Sequence, residues 1–93
     1  MNVKSRTNLE KYIHFLKGKG FQLGEEFQGF VDLGKAYTNA SDELIIAAIE
    51  ITLKGQRAFD GSFFISLLET FKREGLEKRE EAIEFAKRKL NIL

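Results

Sequence analysis

Apolar side chains recur every third or fourth residue through most of this chain. That is the spacing of a single α-helical face, not the alternation of a strand. Leu9, Tyr12, Ile13 and Leu16 stand at i, i+3, i+4 and i+7, with Thr7 or Asn8 placed to cap the start and Gly18 and Gly20 the end. A second helix is expected from about Gly24-Glu25-Glu26, whose carboxylates suit the positive end of a helix dipole. Its apolar positions are Phe27, Phe30, Val31 and Leu33, with Tyr37 near the exit. Gly29 and Gly34 each weaken it by about 1 kcal/mol relative to alanine, so they read as places where a neighbouring helix comes close.

Ser41-Asp42-Glu43 is a start signal, a capping hydroxyl followed by two first-turn acids. The helix it opens is apolar on most of its circumference. Leu44, Ile45, Ala48 and Ile51 form one stripe and Ile46, Ile49 and Leu53 another. A helix of that kind is surrounded by its neighbours, so this is the expected central helix, ending near Lys54-Gly55. Asp60-Gly61-Ser62 launches a fourth helix. An Asp-Gly pair also suits a hairpin, but the residues after it repeat at three and four. Gly75 is placed to close that helix in a left-handed cap, with Leu76 as the accompanying apolar contact. A fifth helix is expected from Lys78 to Leu90, turning Ala82, Ile83, Ala86 and Leu90 inward, with Glu84 and Arg88 as a favourable i, i+4 pair. The expectation is an all-α, compact, single-domain bundle of about five short helices over residues 1–93.

Composition agrees with this picture. The 93 residues are 43% hydrophobic and 31% charged, the balance of an ordinary globular domain. No proline occurs, where about four or five would be average, which favours short connections between helices. The chain lacks cysteine, so disulfide and thiolate chemistry are excluded. It has no apolar run of about 20 residues to span a membrane, and no apolar segment follows the charged N-terminus as a secretory signal requires. A cytoplasmic protein is therefore expected. Net charge is +1 but unevenly spread. Residues 1–20 carry five basic groups and one acid, residues 21–71 three and eight, and residues 72–93 seven and five.

Little in the sequence points to catalysis. His14 is the only histidine, and with no cysteine it does not suggest a metal site. Ser5, Ser41, Ser62 and Ser66 lack a nucleophile-elbow setting. The glycines form neither a dinucleotide fingerprint nor a phosphate loop. The acid pairs Glu25-Glu26, Asp42-Glu43 and Glu80-Glu81 each fall at an expected helix start, where the dipole accounts for them. The expectation is a protein without enzymatic activity, cofactor or metal.

One stretch is more specific. Phe63, Leu67 and Phe71 are spaced by four. They are followed by Lys72-Arg73-Glu74, then Gly75-Leu76, then Glu80-Glu81-Ala82. This order resembles the C-terminal helical domain of the DnaD-type replication-initiation proteins. There a Tyr-x-x-x-Ile-x-x-x-Trp helix leads through charged residues and a glycine turn into a Glu-Glu-Ala helix start. The agreement runs without a gap from Phe63 to Ala82, about a fifth of the chain. It continues loosely upstream through the Ser41–Leu53 helix and the Gln56-Arg57 and Phe59 turn. Phenylalanine replaces both the tyrosine and the tryptophan, removing their polar handles, and a separate winged-helix domain is not expected within these 93 residues.

The resemblance implies a helical module acting with single- or double-stranded DNA or with replication proteins of the primosome. Helix residues four apart share a face, so Phe63, Leu67 and Phe71 are expected in the core, supporting a site without touching DNA. The candidates for phosphate contact are Lys72, Arg73, Lys78 and Arg79 around the Gly75 turn, and Lys87, Arg88 and Lys89 on the last helix. The alternative is a small protein–protein adaptor with the same fold and no nucleic-acid binding. It predicts an exposed apolar patch, with Phe15, Phe21, Leu23 and Phe27 as contributors.

Overall fold

The computed structural model describes residues 7–56 and 58–92. Lys4, Arg6 and Arg57, which contribute to the charge distribution above, and Ser5 lie outside them. Five α-helices follow one another, α1 (Asn8–Gly18), α2 (Phe27–Thr38), α3 (Asp42–Gln56), α4 (Gly61–Arg73) and α5 (Arg79–Phe85). A π-helical turn, Ala86–Leu90, continues α5. Among the described residues there is no strand, and the all-α, single-domain expectation holds.

The start and stop signals act as local chemistry dictates. The Thr7 hydroxyl accepts the Glu10 N–H while the Glu10 carboxylate accepts the Thr7 N–H, both at 3.1 Å, a reciprocal capping box. Asp60 caps α4 through the Phe63 N–H at 3.1 Å. The Ser41 hydroxyl accepts the Leu44 N–H and donates to the Glu77 carbonyl 36 residues away at 2.9 Å. One hydroxyl thus caps α3 and fastens the α4–α5 connection to it. At the end of α4, Gly75 at φ +74° lets its own N–H reach the Lys72 carbonyl and the Leu76 N–H reach the Phe71 carbonyl. These are the two bonds of a Schellman motif.

The central helix is α3. Leu44, Ile45, Ala47, Ala48, Ile49, Ile51 and Thr52 are all buried, with Ile46 and Leu53 half-buried. The Thr52 hydroxyl donates to the Ala48 carbonyl at 2.7 Å, so the one buried polar side chain among the described residues is satisfied within its own helix. Around α3 are packed α1 through Leu9, Ile13 and Leu16, α4 through Phe64, Leu67, Leu68 and Phe71, and α5 with its π-helical continuation through Ala82 and Ala86. Phe59 sits between helices, edge-on to Phe27 at 4.7 Å and tilted against Phe64 at 5.2 Å.

Two details of the expected pattern change. On α2 the apolar positions do not all turn inward. Phe27 and Val31 are buried, but Leu33 is 52% and Tyr37 68% exposed. The inward position between them is Gly34, where an added Cβ would lie 2.7 Å from Leu68 Cδ1 and 3.1 Å from the Phe64 ring. The close approach of α4 therefore needs hydrogen at Gly34, whereas a Cβ at Gly29 would meet nothing within 4 Å. Helix α5 begins at Arg79 and does not stay α-helical to Leu90. Ala86–Leu90 widens to π geometry, and the Ile92 N–H returns to the Ala86 carbonyl at 3.2 Å. Asn91, at φ +55°, turns the chain there, and Ile92 packs against the core.

Candidate functional site

Three regions concentrate the side chains with functional potential. The first is the turn around Gly75. Of the four cations expected to contact phosphate there, Arg73, Lys78 and Arg79 are exposed and Lys72 is half-buried. Glu74, Glu77, Glu80 and Glu81 are exposed among them, four acids against four bases. Arg79 is also engaged. Its Nε and Nη2 donate to the two oxygens of Glu50 at 2.6 and 2.7 Å, and its backbone N–H donates to Glu43 Oε1 at 2.9 Å. The side-chain hydrogen bonding to Glu50, and after it the Glu50 charge, raises the pKa of Arg79 above its ordinary value. The Glu81 carboxylate accepts the N–H groups of Glu77 and Lys78 at 2.9 and 3.1 Å, and these bonds hold its pKa below the usual range.

The aromatic motif runs along α4, with Phe71 in the last turn next to this connection. Leu67 and Phe71 are buried and Phe63 is half-buried, with Phe71 edge-on to Phe85 at 6.4 Å. These side chains support α4 and present at most one partly accessible ring to a ligand. On the last helix Lys87, Arg88 and Lys89 are exposed, and Arg88 pairs with Glu84 at 3.1 Å, as their spacing foretold.

The second region is an open cleft of about 700 Å³ between α3 and α5. Glu50, Lys54, Arg79, Glu80, Glu84 and Lys87 surround it, and Ile51, Ile83 and Ile92 give it an apolar lining. Tyr12 adjoins the Glu50–Arg79 pair from α1, and burial together with the nearby Glu50 charge pushes its pKa up to about 12. Of these charges Glu50 and Arg79 pair with each other, and among the described residues no buried side-chain nitrogen or oxygen lacks a hydrogen-bond partner. Nor do three His, Asp or Glu side chains among the described residues converge as a metal site.

The third region is apolar. Leu33 and Tyr37 stand outward on α2, and Phe15 (53% exposed) and Phe21 (46%) on and just beyond α1. Phe15 stacks on Tyr12 at 6.4 Å and lies under the Lys19 ammonium at 5.6 Å, so part of its face is already covered. Of the four residues expected in an apolar patch, Phe15 and Phe21 are exposed, Leu23 is half-buried and Phe27 is core. The larger uncovered surface is on α2, where Gly29, Leu33, Ala36 and Tyr37 are all exposed. Periodicity alone did not find it, because Leu33 reads as inward. The signal available was Gly34, a residue whose only advantage in a helix interior is lack of bulk.

Residues 3–92 match a family described as a family of unknown function, DUF6123. The chain belongs to the DUF6123 family. No curated protein and no solved structure matches it. The match spans nearly all of this DUF6123 chain, so α1 through the π-helical turn fall within one family unit. Among the described residues no helix is long and apolar enough to cross a membrane.

Proposed function

We propose that this DUF6123 protein is a non-catalytic helical module that binds another protein through the outward face of α2. The observation that carries the reading is the exposure of Leu33 and Tyr37, one turn apart on a helix whose opposite side is packed in the core. Large apolar side chains grouped on one helix face are the usual anchor of helix-mediated recognition. The four-against-four charge balance around Gly75 and the commitment of Arg79 to Glu50 leave little unopposed positive charge for a phosphate backbone. Kinship with the DnaD-type domain remains a proposal resting on the Phe63–Ala82 pattern. Its protein-binding half fits this surface better than its DNA-binding half.

The test pairs two assays on the full chain. Protein captured from cells by the wild type should be lost with Leu33→Lys and Tyr37→Lys and kept with Lys87→Ala and Lys89→Ala. Labelled single- and double-stranded oligonucleotides should not bind at about 50 mM salt, where even a few phosphate contacts are strongest. Salt-sensitive oligonucleotide binding lost with the lysine substitutions, and capture indifferent to Leu33 and Tyr37, would reverse the reading in favour of DNA.

A further inference from the structure

Granted the α2 docking surface proposed above, the side chains around it identify the kind of partner it fits. Glu26 precedes Leu33 by seven residues and Tyr37 follows Leu33 by four. At about 100° per residue both offsets keep the three within about 40° of one line along the outward side of α2. That line begins acidic and continues apolar. Two hollows open at its acidic end. One, of about 370 Å³, is bounded by Glu25, Glu26, Gly29, Phe30 and Leu33; the other, of about 380 Å³, reaches Phe59 and Gly61. Phe30, backed by Gly61 and Phe59, is a wall of both. Glu25 and Glu26 also line both, and among the described residues no other charged side chain lines either.

Neither acid is tied down. Glu26 is the N-cap of α2, yet its side chain accepts no capping hydrogen bond, and among the described residues neither carboxylate takes part in an ion pair. The α2 dipole favours their charge but leaves their oxygens in solvent, both residues being exposed. Lys35, the cation of α2, lies on the side toward α1, 4.0 Å from Asp42. The charge beside the apolar anchors is therefore negative and unopposed.

We infer that the α2 face binds a cationic amphipathic segment of another protein. An apolar side chain of that segment sits over Leu33 and Tyr37, and an arginine or lysine enters the hollow beside Glu25 and Glu26. Seven residues of α2 span about 10 Å, so the basic residue stands two turns from the apolar anchor on a partner helix. A long basic side chain lays its aliphatic stem along Phe30 and carries its charge to the carboxylates. An acidic segment would meet two like charges here, and a purely apolar one would strip water from both without replacing it.

Selection of short random peptides, displayed on phage, against the purified full chain tests this. Peptides whose binding is lost with Leu33→Lys should be rich in arginine and lysine beside an apolar residue. Synthesised singly, they should bind the double variant Glu25→Gln and Glu26→Gln about three- to tenfold more weakly than the wild type, as two exposed ion pairs predict. Their binding should also weaken between about 50 and 500 mM salt. The double variant Glu25→Lys and Glu26→Lys, folded by circular dichroism, should not bind them. Leu33-dependent peptides without an excess of basic residues, or indifferent to the glutamine substitutions, overturn the cationic partner and leave α2 as the docking face. If no selected peptide depends on Leu33, the docking face itself fails and the cationic partner with it.

Discussion

Arg79 holds Glu50 in a two-pronged grip across 29 residues of sequence, Nε to Oε1 at 2.6 Å and Nη2 to Oε2 at 2.7 Å. The pair ties the first residue of α5 to the middle of α3, and the Glu43 carboxylate receives the Arg79 backbone N–H beside it. Fork-to-fork geometry is specific to arginine, although half of the Arg79 side chain remains in solvent. A double-mutant cycle with Arg79→Ala and Glu50→Ala, followed by urea denaturation, should give a coupling of about 1 kcal/mol, the upper end for exposed pairs. Arg79→Lys should lose most of that coupling, since an ammonium cannot reproduce the fork.

Alanine substitutions at three glycines should separate in sign. Gly29→Ala meets open space and should stabilise the chain by about 0.5–1 kcal/mol through helix propensity and a less flexible unfolded state. Gly61→Ala drives a methyl into the Phe30 ring and should cost about 1–3 kcal/mol by overpacking. Gly75→Ala strains the left-handed cap at φ +74° and should cost about 1–2 kcal/mol. Thermal or urea unfolding of the three variants side by side reads the order directly.

Much of this fold is legible in the sequence because its punctuation is local. Thr7, Asp60 and Gly75 act on groups within a few residues of themselves, so their roles follow from spacing alone. What was not legible depends on which neighbour arrives. Leu33 outranks Gly34 as an inward residue in any count of hydrophobic positions, yet α4 approaches too closely for a side chain there. The Arg79–Glu50 pair joins residues that no helical periodicity relates. The π-helical turn at Ala86–Leu90 carries an ordinary helix-forming sequence, and no residue in it announces the wider winding. The candidate site suffered most, since an apolar surface is defined by what fails to cover it.

Tyr12 gives a pH signature. Its pKa is raised to about 12 by burial first and the Glu50 charge second, whereas an unfolded tyrosine titrates near 10. A group with a raised folded-state pKa favours the folded state fully below its unfolded pKa, and that contribution fades as pH climbs from about 10 to 12. In Tyr37→Phe, where Tyr12 is the only tyrosine, ultraviolet tyrosinate absorbance should titrate near pH 12. Adding Glu50→Gln should lower that midpoint while leaving the burial component in place. A midpoint that does not move would remove Glu50 as a cause.

Ser41 links two parts of the fold with one oxygen, accepting from Leu44 and donating to the Glu77 carbonyl. Ser41→Ala should cost about 1–2 kcal/mol in urea denaturation, a cap and a tether together. Backbone hydrogen exchange should quicken at Leu44 in the first turn of α3, whose N–H loses its acceptor. Unchanged exchange there would show that the hydroxyl is dispensable to the cap.

The outward face of α2 is tested most directly by photo-crosslinking in living cells, with a photoreactive side chain placed singly at residues 28, 32, 33 and 37. Positions 33 and 37 should give covalent adducts with protein, and positions 28 and 32 on the α1 side should give few or none. Adducts concentrated at 28 and 32, or absent from 33 and 37, would contradict the assignment of this face as the binding surface.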